Sequence, residues 1–397
     1  MRLFTLTSDL HGELARKAHN EQFIKDIEAA LGEPFECLEA DFSGYGAPGD
    51  VIYVRTGGTE GLFLKIYKGH EGTPVRLLTS GPSNSLAASM EIASWLADRG
   101  IPGEILHGSP EEIAAMLKGG ASFGAPERFL RPLDAAGRLE GKRYGVVGHP
   151  SDWLISSDVD YAKVRRVLGA ELIDIPMSEL LEEFSRAEAA DPGLKPLNDP
   201  RYGRPLSPKD FGDALRIYSA LKSIVARHRL DGLTLRCFDL LTAVGNTGCL
   251  ALALLNSEGL VATCEGDVPA MLSMALVRER FGVSGFQVNL SRIQGDTYLF
   301  AHCTVPLDMV EDYCYDTHFE SGIGVAVHGI LPRGRARIFK LSADLERCVD
   351  EEVELLSNEY GANLCRTQVL VKAPGEMRDY FLRRPLGNHH IIVLKKD

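Results

Sequence analysis

Glu265 and Asp267 stand two residues apart, after the apolar segment Val261-Ala-Thr-Cys264 and before a helix-like run over residues 269–280. The still more apolar run over residues 249–255, Cys-Leu-Ala-Leu-Ala-Leu-Leu, reads as strand-like. Two carboxylates thus fall where a strand tip meets a helix start. In open α/β sheets, ligands bind beyond the carboxyl ends of strands. Asp267 also suits a plain helix N-cap. Glu265 has no such simple explanation, because a carboxylate ending a buried strand needs a partner or a metal. Late in the chain come three polar segments that carry histidine: His302-Cys-Thr304, Thr317-His318-Phe-Glu320-Ser321 and Gly387-Asn388-His389-His390. Carboxylate oxygens from Glu265 and Asp267, with imidazole from His389 or His302, make a mixed donor set suited to Mn²⁺ or Mg²⁺. Neither HExxH nor CxxC supports zinc. Cys264 is no ligand if it lies on a strand, since it faces away from Glu265.

The elements that must position these groups alternate helix and strand through the first two thirds of the chain. The 397 residues suggest two or three domains. Residues 1–143 read as a first α/β unit, with strands over 3–7, 51–54, 62–67 and 75–78 and helices over 21–31, 85–99 and 110–117. Two of its loops, Arg55-Thr-Gly-Gly-Thr-Glu60-Gly61 and Thr79-Ser-Gly-Pro-Ser83-Asn84-Ser85, are either ordinary turns or hold sugar hydroxyls or an anion. Neither has the spacing of a P-loop or a dinucleotide fingerprint. Residues 144–284 read as a second unit. There Trp153 follows a strand in His149-Pro-Ser-Asp-Trp153 and serves either as core or as a sugar platform. Asp239, at the end of a strand over 232–239, either faces the same crevice as Glu265 or caps a loop. From residue 285 short alternating strands separated by turns suggest an antiparallel sheet or small barrel. The expected fold is therefore α/β: two Rossmann-like parallel α/β domains followed by a C-terminal antiparallel β-barrel-like domain over 285–397.

A net charge of −12 argues against nucleic-acid and anionic-membrane partners. No run of 18 apolar residues reads as a transmembrane helix, and the start reads as a strand rather than a signal peptide. Eight scattered cysteines fit reduced thiols in a cytoplasm.

Taken together, Pro150-Ser-Asp-Trp-Leu-Ile155, Cys264-Glu-Gly-Asp267, Ala301-His-Cys-Thr-Val-Pro306, His318-Phe-Glu-Ser321, Asn363-Leu-Cys-Arg-Thr-Gln368 and Pro385-Leu-Gly-Asn-His-His390 resemble the L-fucose isomerase and L-arabinose isomerase superfamily. The resemblance is closest to its shorter L-fucose isomerase-like members. It covers most of residues 144–397, and the first unit only at Gly57-Gly-Thr-Glu60 and Asn84-Ser-Leu86.

The resemblance implies aldose–ketose isomerisation through an ene-diol and a manganese site. Glu265 would be ligand and base, and His389 a second ligand. Asn289 stands where the family has an Asp ligand. Asn can still offer a carbonyl oxygen but cannot take a proton. Catalysis would then draw on Asp267 or His302: Asp267 as an acid or as a support behind the ligands, and His302, like His318, as a sugar contact or proton shuttle. Trp153, His318, Asn388, His390, Ser83 and Asn84 would contact the sugar. A homo-oligomer with sites near subunit interfaces is also implied.

Overall fold

A computed structural model describes residues 1–8, 20–120, 127–190, 192–197 and 206–395. His11 and part of the Pro- and Gly-rich segment near residue 200 lie outside that range. The first sheet joins β1 (Arg2–Leu6), β2 (Glu36–Glu39), β3 (Val51–Val54), β4 (Val75–Leu78) and β5 (Gly103–Leu106), all parallel, in the order β2-β1-β3-β4-β5. After β6 (Arg131–Pro132), a second parallel sheet is built from β7 (Arg143–Val147), β8 (Glu171–Ile175), β9 (Gly232–Leu235) and β10 (Val261–Cys264), in the order β10-β9-β7-β8. Strand order reverses between β7 and its neighbours β8 and β9. The loops after β7, β9 and β10 therefore open on one crevice, the place where such sheets take ligands.

The remaining strands are antiparallel. They are β11 (Phe286–Gln294), β12 (Thr297–His302), β13 (Asp312–Asp316), β14 (Ala326–Ile330), β15 (Gly334–Leu341), β16 (Arg347–Glu359), β17 (Thr367–Lys372) and β18 (His389–Leu394). Six of them run β15-β18-β11-β12-β17-β16, and β15 pairs back with β16, so the sheet closes on itself as a barrel. Phe381, on the helix Met377–Arg383, packs against Tyr298 and Phe300 of β12. β13 and β14 form a separate hairpin whose loop carries His318 and Glu320. β6 adds to the edge of β16, so a segment from ahead of the second sheet is tied to the barrel.

Two segments expected as strands are helices. Residues 62–67 lie in the helix Glu60–Tyr67, and residues 249–255 open the helix Cys249–Ser257. Each connects neighbouring parallel strands, a join that needs a crossover rather than another strand. The helix Cys249–Ser257 is buried along all but its last residue, so no polar face breaks its apolar run. A short continuous apolar run does not distinguish buried helix from buried strand. The strand over 232–239 stops at Leu235. Asp239 starts a short helix, with Arg236 Nε 3.0 Å from its carboxylate, and it does not line the crevice. β16, thirteen residues long, was hidden by Asp350, Glu351, Glu352 and Glu354. Part of that acidity is answered by Arg131 and Arg337, which pair with Glu351 and with Asp350 and Glu352.

Side-chain joints bind the three sheets together. Gln287 of β11 accepts the Cys264 N–H at 2.7 Å and so clamps the tip of β10 to the barrel. His107 accepts the Ile293 N–H of β11 at 3.1 Å, while its Nδ1 lies 3.0 Å from Thr79 O. Burial pushes His107 down to about 4, so it stays neutral and its accepting nitrogen is preserved. The helix Val268–Phe281 packs between the second sheet and β15 and β18, and is buried through residues 268–277. A helix covered on every side has no need of a polar stripe. Among the described residues no helix is long and apolar enough to cross a membrane.

Candidate active site

Glu265 follows β10 directly, and its backbone is left-handed, φ +65°; Gly266 continues at +70°. A non-glycine residue in that region costs roughly 1–3 kcal/mol and persists only when its surroundings hold it. Here they do. The Glu265 carbonyl accepts from Ser151 N–H at 3.0 Å, and Gly266 N–H donates to Leu235 O at 3.0 Å. A Cβ on Gly266 would come within 2.5 Å of His149 O, so only glycine fits. This tight turn aims the Glu265 side chain into a pocket of about 460 Å³. The first unit lines that pocket with Gly57, Gly58, Glu60 and Asn84. The second sheet adds Trp153, Phe238 and Glu265, and the barrel region adds Asn289, Glu320 and Asn388.

β11, β12 and β18 bring the remaining donors. Asn289 and His389 face each other in the β11–β18 register, and Asn289 faces Ala301 in β11–β12, one residue before His302. Glu265 Oε1 lies 3.3 Å from His389 Nε2 and 3.9 Å from His302 Nε2. Donor atoms of Glu265, His302 and His389 all fall within 4.8 Å of one another. Trp153 Nε1–H donates to the other oxygen, Oε2, at 2.6 Å. Trp153 packs edge-on against Phe238, so it serves both as wall and as a clamp on Glu265.

Asp267 lies behind this group. Its Oδ1 accepts the Ala270 N–H at 2.7 Å, which makes it the N-cap of the helix Val268–Phe281. Its Oδ2 sits 2.8 Å from His389 Nδ1 and 3.6 Å from Lys340 Nζ. The cap and the site are therefore one residue. Asp267 is fully buried and absent from the pocket lining, and of its two expected roles, support for a ligand or acid, this placement fits the support of His389. With Nδ1–H donating to Asp267, Nε2 is the nitrogen that a cation would take once it gives up its proton, and that atom, though buried, has no hydrogen-bond partner. A carboxylate holding the far nitrogen of an imidazole is the usual setting of a metal-ligating histidine. Asn289 Oδ1 is likewise buried and unpartnered.

The electrostatics follow. Burial would raise the carboxyls of Glu265 and Asp267. For Glu265 the neighbouring His389 and His302 outweigh it and hold the group well below the usual carboxylate range. For Asp267, Lys340 and His389 do the same. Burial would lower His389, yet Glu265 and Asp267 lift it to about 9.

The other expected contacts divide. Asn388 lines the pocket; its N–H donates to Glu91 at 3.1 Å and its Oδ1 accepts the His389 N–H. Asn84 lines it too, donating to Glu320 at 2.7 Å. His318 sits behind Phe238, edge-on at 5.5 Å, with Nδ1 3.0 Å from Ser321 Oγ. Two expectations are corrected. His390 pairs with Tyr380 OH at 2.8 Å, because neighbours on a strand face opposite sides and His389 takes the site. Ser83 acts through its backbone, accepting from Gly57 and donating to Asn363 O, and is not part of the lining. Glu60 and Glu320 stand within quoted segments but were given no site role, because nothing local marks a carboxylate that only tertiary packing buries.

No protein-family model matches the chain. It is similar to sulfoquinovose isomerases. That of Clostridium sp. (strain MSTE9) is 27% identical over 248 residues, covering 55% of this chain and 54% of the relative. That of Alkalicoccus urumqiensis is 24% identical over 240 residues, covering 55% and 49%. That of Priestia megaterium is 23% identical over 283 residues, covering 65% and 59%. The chain thus spans about half to three fifths of the length of these curated relatives.

Proposed function

We propose that this protein is a metal-dependent aldose–ketose isomerase. One observation carries the reading: Glu265, His302 and His389 converge within 4.8 Å on a pocket where Asn289 Oδ1 stands unpartnered. Oxygen from Glu265 and Asn289 with two imidazoles is a donor set that fits Mn²⁺ or Mg²⁺. The similarity to sulfoquinovose isomerases supports a sugar as substrate. His302 thereby serves as a second imidazole ligand beside His389, with Thr304 Oγ1 2.9 Å from its Nδ1 to fix the ring.

A divalent ion held there would polarise the oxygens at C1 and C2 of the open-chain sugar. The protein supplies the rest. Glu265 moves the proton between C2 and C1, with Trp153 fixing the orientation of its carboxylate. Asp267 sets the tautomer of His389. Asn84, Asn388 and the carboxyls of Glu60 and Glu320 meet the sugar hydroxyls, and the walls from all three sheets limit water. Purified protein loaded with Mn²⁺ should convert an aldose to its ketose in D₂O with deuterium appearing at the carbon that receives the proton. Turnover that is unchanged after chelation would refute the metal-dependent reading. A lyase or epimerase reading draws on Asn289, which removes one carboxylate from the expected set; cleaved or epimerised products in the same NMR assay would select it.

Two further results are expected. His389 carries a proton up to about pH 9. Binding of a cation must displace it, so Mn²⁺ affinity should rise about tenfold per pH unit from about pH 7 towards 9 and then level off. Without metal the sign is opposite: the raised imidazole adds stability below its ordinary range near 6.5, and this is lost as pH rises through 9. Calorimetric titrations in a buffer series read the first, and thermal unfolding of metal-free protein reads the second. Asn289→Asp should tighten Mn²⁺ binding about tenfold, because an added ligand charge strengthens a hard-cation site. An unaltered affinity would place Asn289 outside the coordination sphere.

A further inference from the structure

Glu91 stands mid-way along the helix Ser85–Asp98, which is buried at residues 85–94 and 96. Glu91 itself is 0% exposed. A carboxyl taken fully out of water is costly unless hydrogen bonds replace the lost solvent. Glu91 receives them from outside its own unit. Its Oε1 accepts the Ser156 N–H at 2.8 Å and the Ser157 hydroxyl at 3.1 Å, and its Oε2 accepts the Asn388 N–H at 3.1 Å. One turn further along the same helix, Ser94 Oγ accepts the Gly387 N–H at 3.0 Å. The approach is close: Gly387 is left-handed, φ +76°, and a Cβ on it would sit 3.1 Å from Glu91 Oε2.

The two segments that Glu91 joins both lead into the site. Trp153, three residues before Ser156, holds Oε2 of Glu265. Asn388 lines the pocket, and its Oδ1 accepts the His389 N–H at 2.8 Å. Asp267 orients the His389 ring, but the ring hangs from a backbone that Asn388 anchors, and Asn388 is anchored in turn by Glu91. A site of this kind works only when its groups are held within about 0.5 Å of the productive geometry by partners around them. Glu91 is absent from the pocket lining, so it acts through these segments and not on a ligand.

We propose that Glu91 is a positioning residue of the cation site. One side chain, carried by the first unit, sets the spacing between the segment that clamps Glu265 and the strand end that presents His389. The inference rests on the reading of Glu265, His302 and His389 as a metal site, and it makes the first unit a part of that site's construction as well as a wall of its pocket.

Each oxygen of Glu91 accepts a backbone N–H, so Glu91→Gln keeps the volume but must set its NH₂ against one of the two donors. The probe is Mn²⁺ alone, titrated calorimetrically into metal-free protein well below the thermal midpoint of each variant. Glu91→Gln should weaken Mn²⁺ binding about tenfold, the lower end of what losing an outer partner costs a metal site. Ile92→Ala is the control. Ile92 is the next residue on the helix and 0% exposed, so its truncation leaves a cavity and lowers the midpoint without touching these hydrogen bonds. Its Mn²⁺ affinity should equal that of the wild type. Ser94→Ala frees only the Gly387 N–H and should weaken binding about threefold, the size of one modest hydrogen bond. If Glu91→Gln does not fold, Ser94→Ala decides by the same measurement, and an unchanged affinity there overturns the inference. Wild-type affinity in folded Glu91→Gln, or an equal loss in Ile92→Ala, overturns the inference and leaves the metal site standing. Wild-type protein that takes up no Mn²⁺ overturns both.

Discussion

Glu265→Gln is expected to lower kcat/KM by roughly 10³-fold or more and to leave the purified protein almost free of bound Mn²⁺. Gln keeps the shape and one oxygen but loses the charge that His389 and His302 face at 3.3 and 3.9 Å. It also cannot accept a proton from carbon. The fold should persist, because the turn is held by backbone bonds from Ser151 and to Leu235, which the substitution does not touch. Far-UV circular dichroism should therefore match the wild type while elemental analysis shows metal loss. Wild-type metal content together with wild-type turnover would remove Glu265 from the site.

Asp267→Ala should be the most destabilising single change near the pocket, by about 3–5 kcal/mol. The carboxylate is fully buried, and its removal takes from Lys340, 1% exposed, its ion-pair partner. The helix Val268–Phe281 also loses its N-cap, worth about 1 kcal/mol. His389 loses the acceptor for Nδ1, so activity should fall beyond what instability explains. Asp267→Asn separates these effects, since Asn caps well but brings no charge. Adding Lys340→Met to Asp267→Ala should recover part of the loss, because an apolar pair costs less than a lone buried cation. Thermal midpoints across the cycle check this. Full additivity would mean that Lys340 and Asp267 do not interact.

What the chain determined by itself is a candidate set of carboxylate and imidazole donors and much of the periodic structure. A Glu-x-Asp pair between a β-strand and a Pro-led helix, and an Asn-His pair opening the last strand, were legible from residue type and local spacing. The antiparallel texture after residue 285 was legible as a sheet or barrel, because alternation reports a half-buried strand without reference to its partners. The helix Cys249–Ser257 was not, because burial on nearly every side erases the polar face that marks a period, and Glu60–Tyr67 was not, because apolar Leu62, Leu64 and Ile66 also occupy its exposed and half-buried positions. Tertiary packing decided that Asp267 supports His389, and it turned His390 towards Tyr380. It also carried Glu60, from the first unit, and Glu320, from a hairpin loop, to the same pocket as Glu265. Such partnerships join residues far apart in the chain. Their energies depend on distance and burial in three dimensions, and no local pattern encodes either.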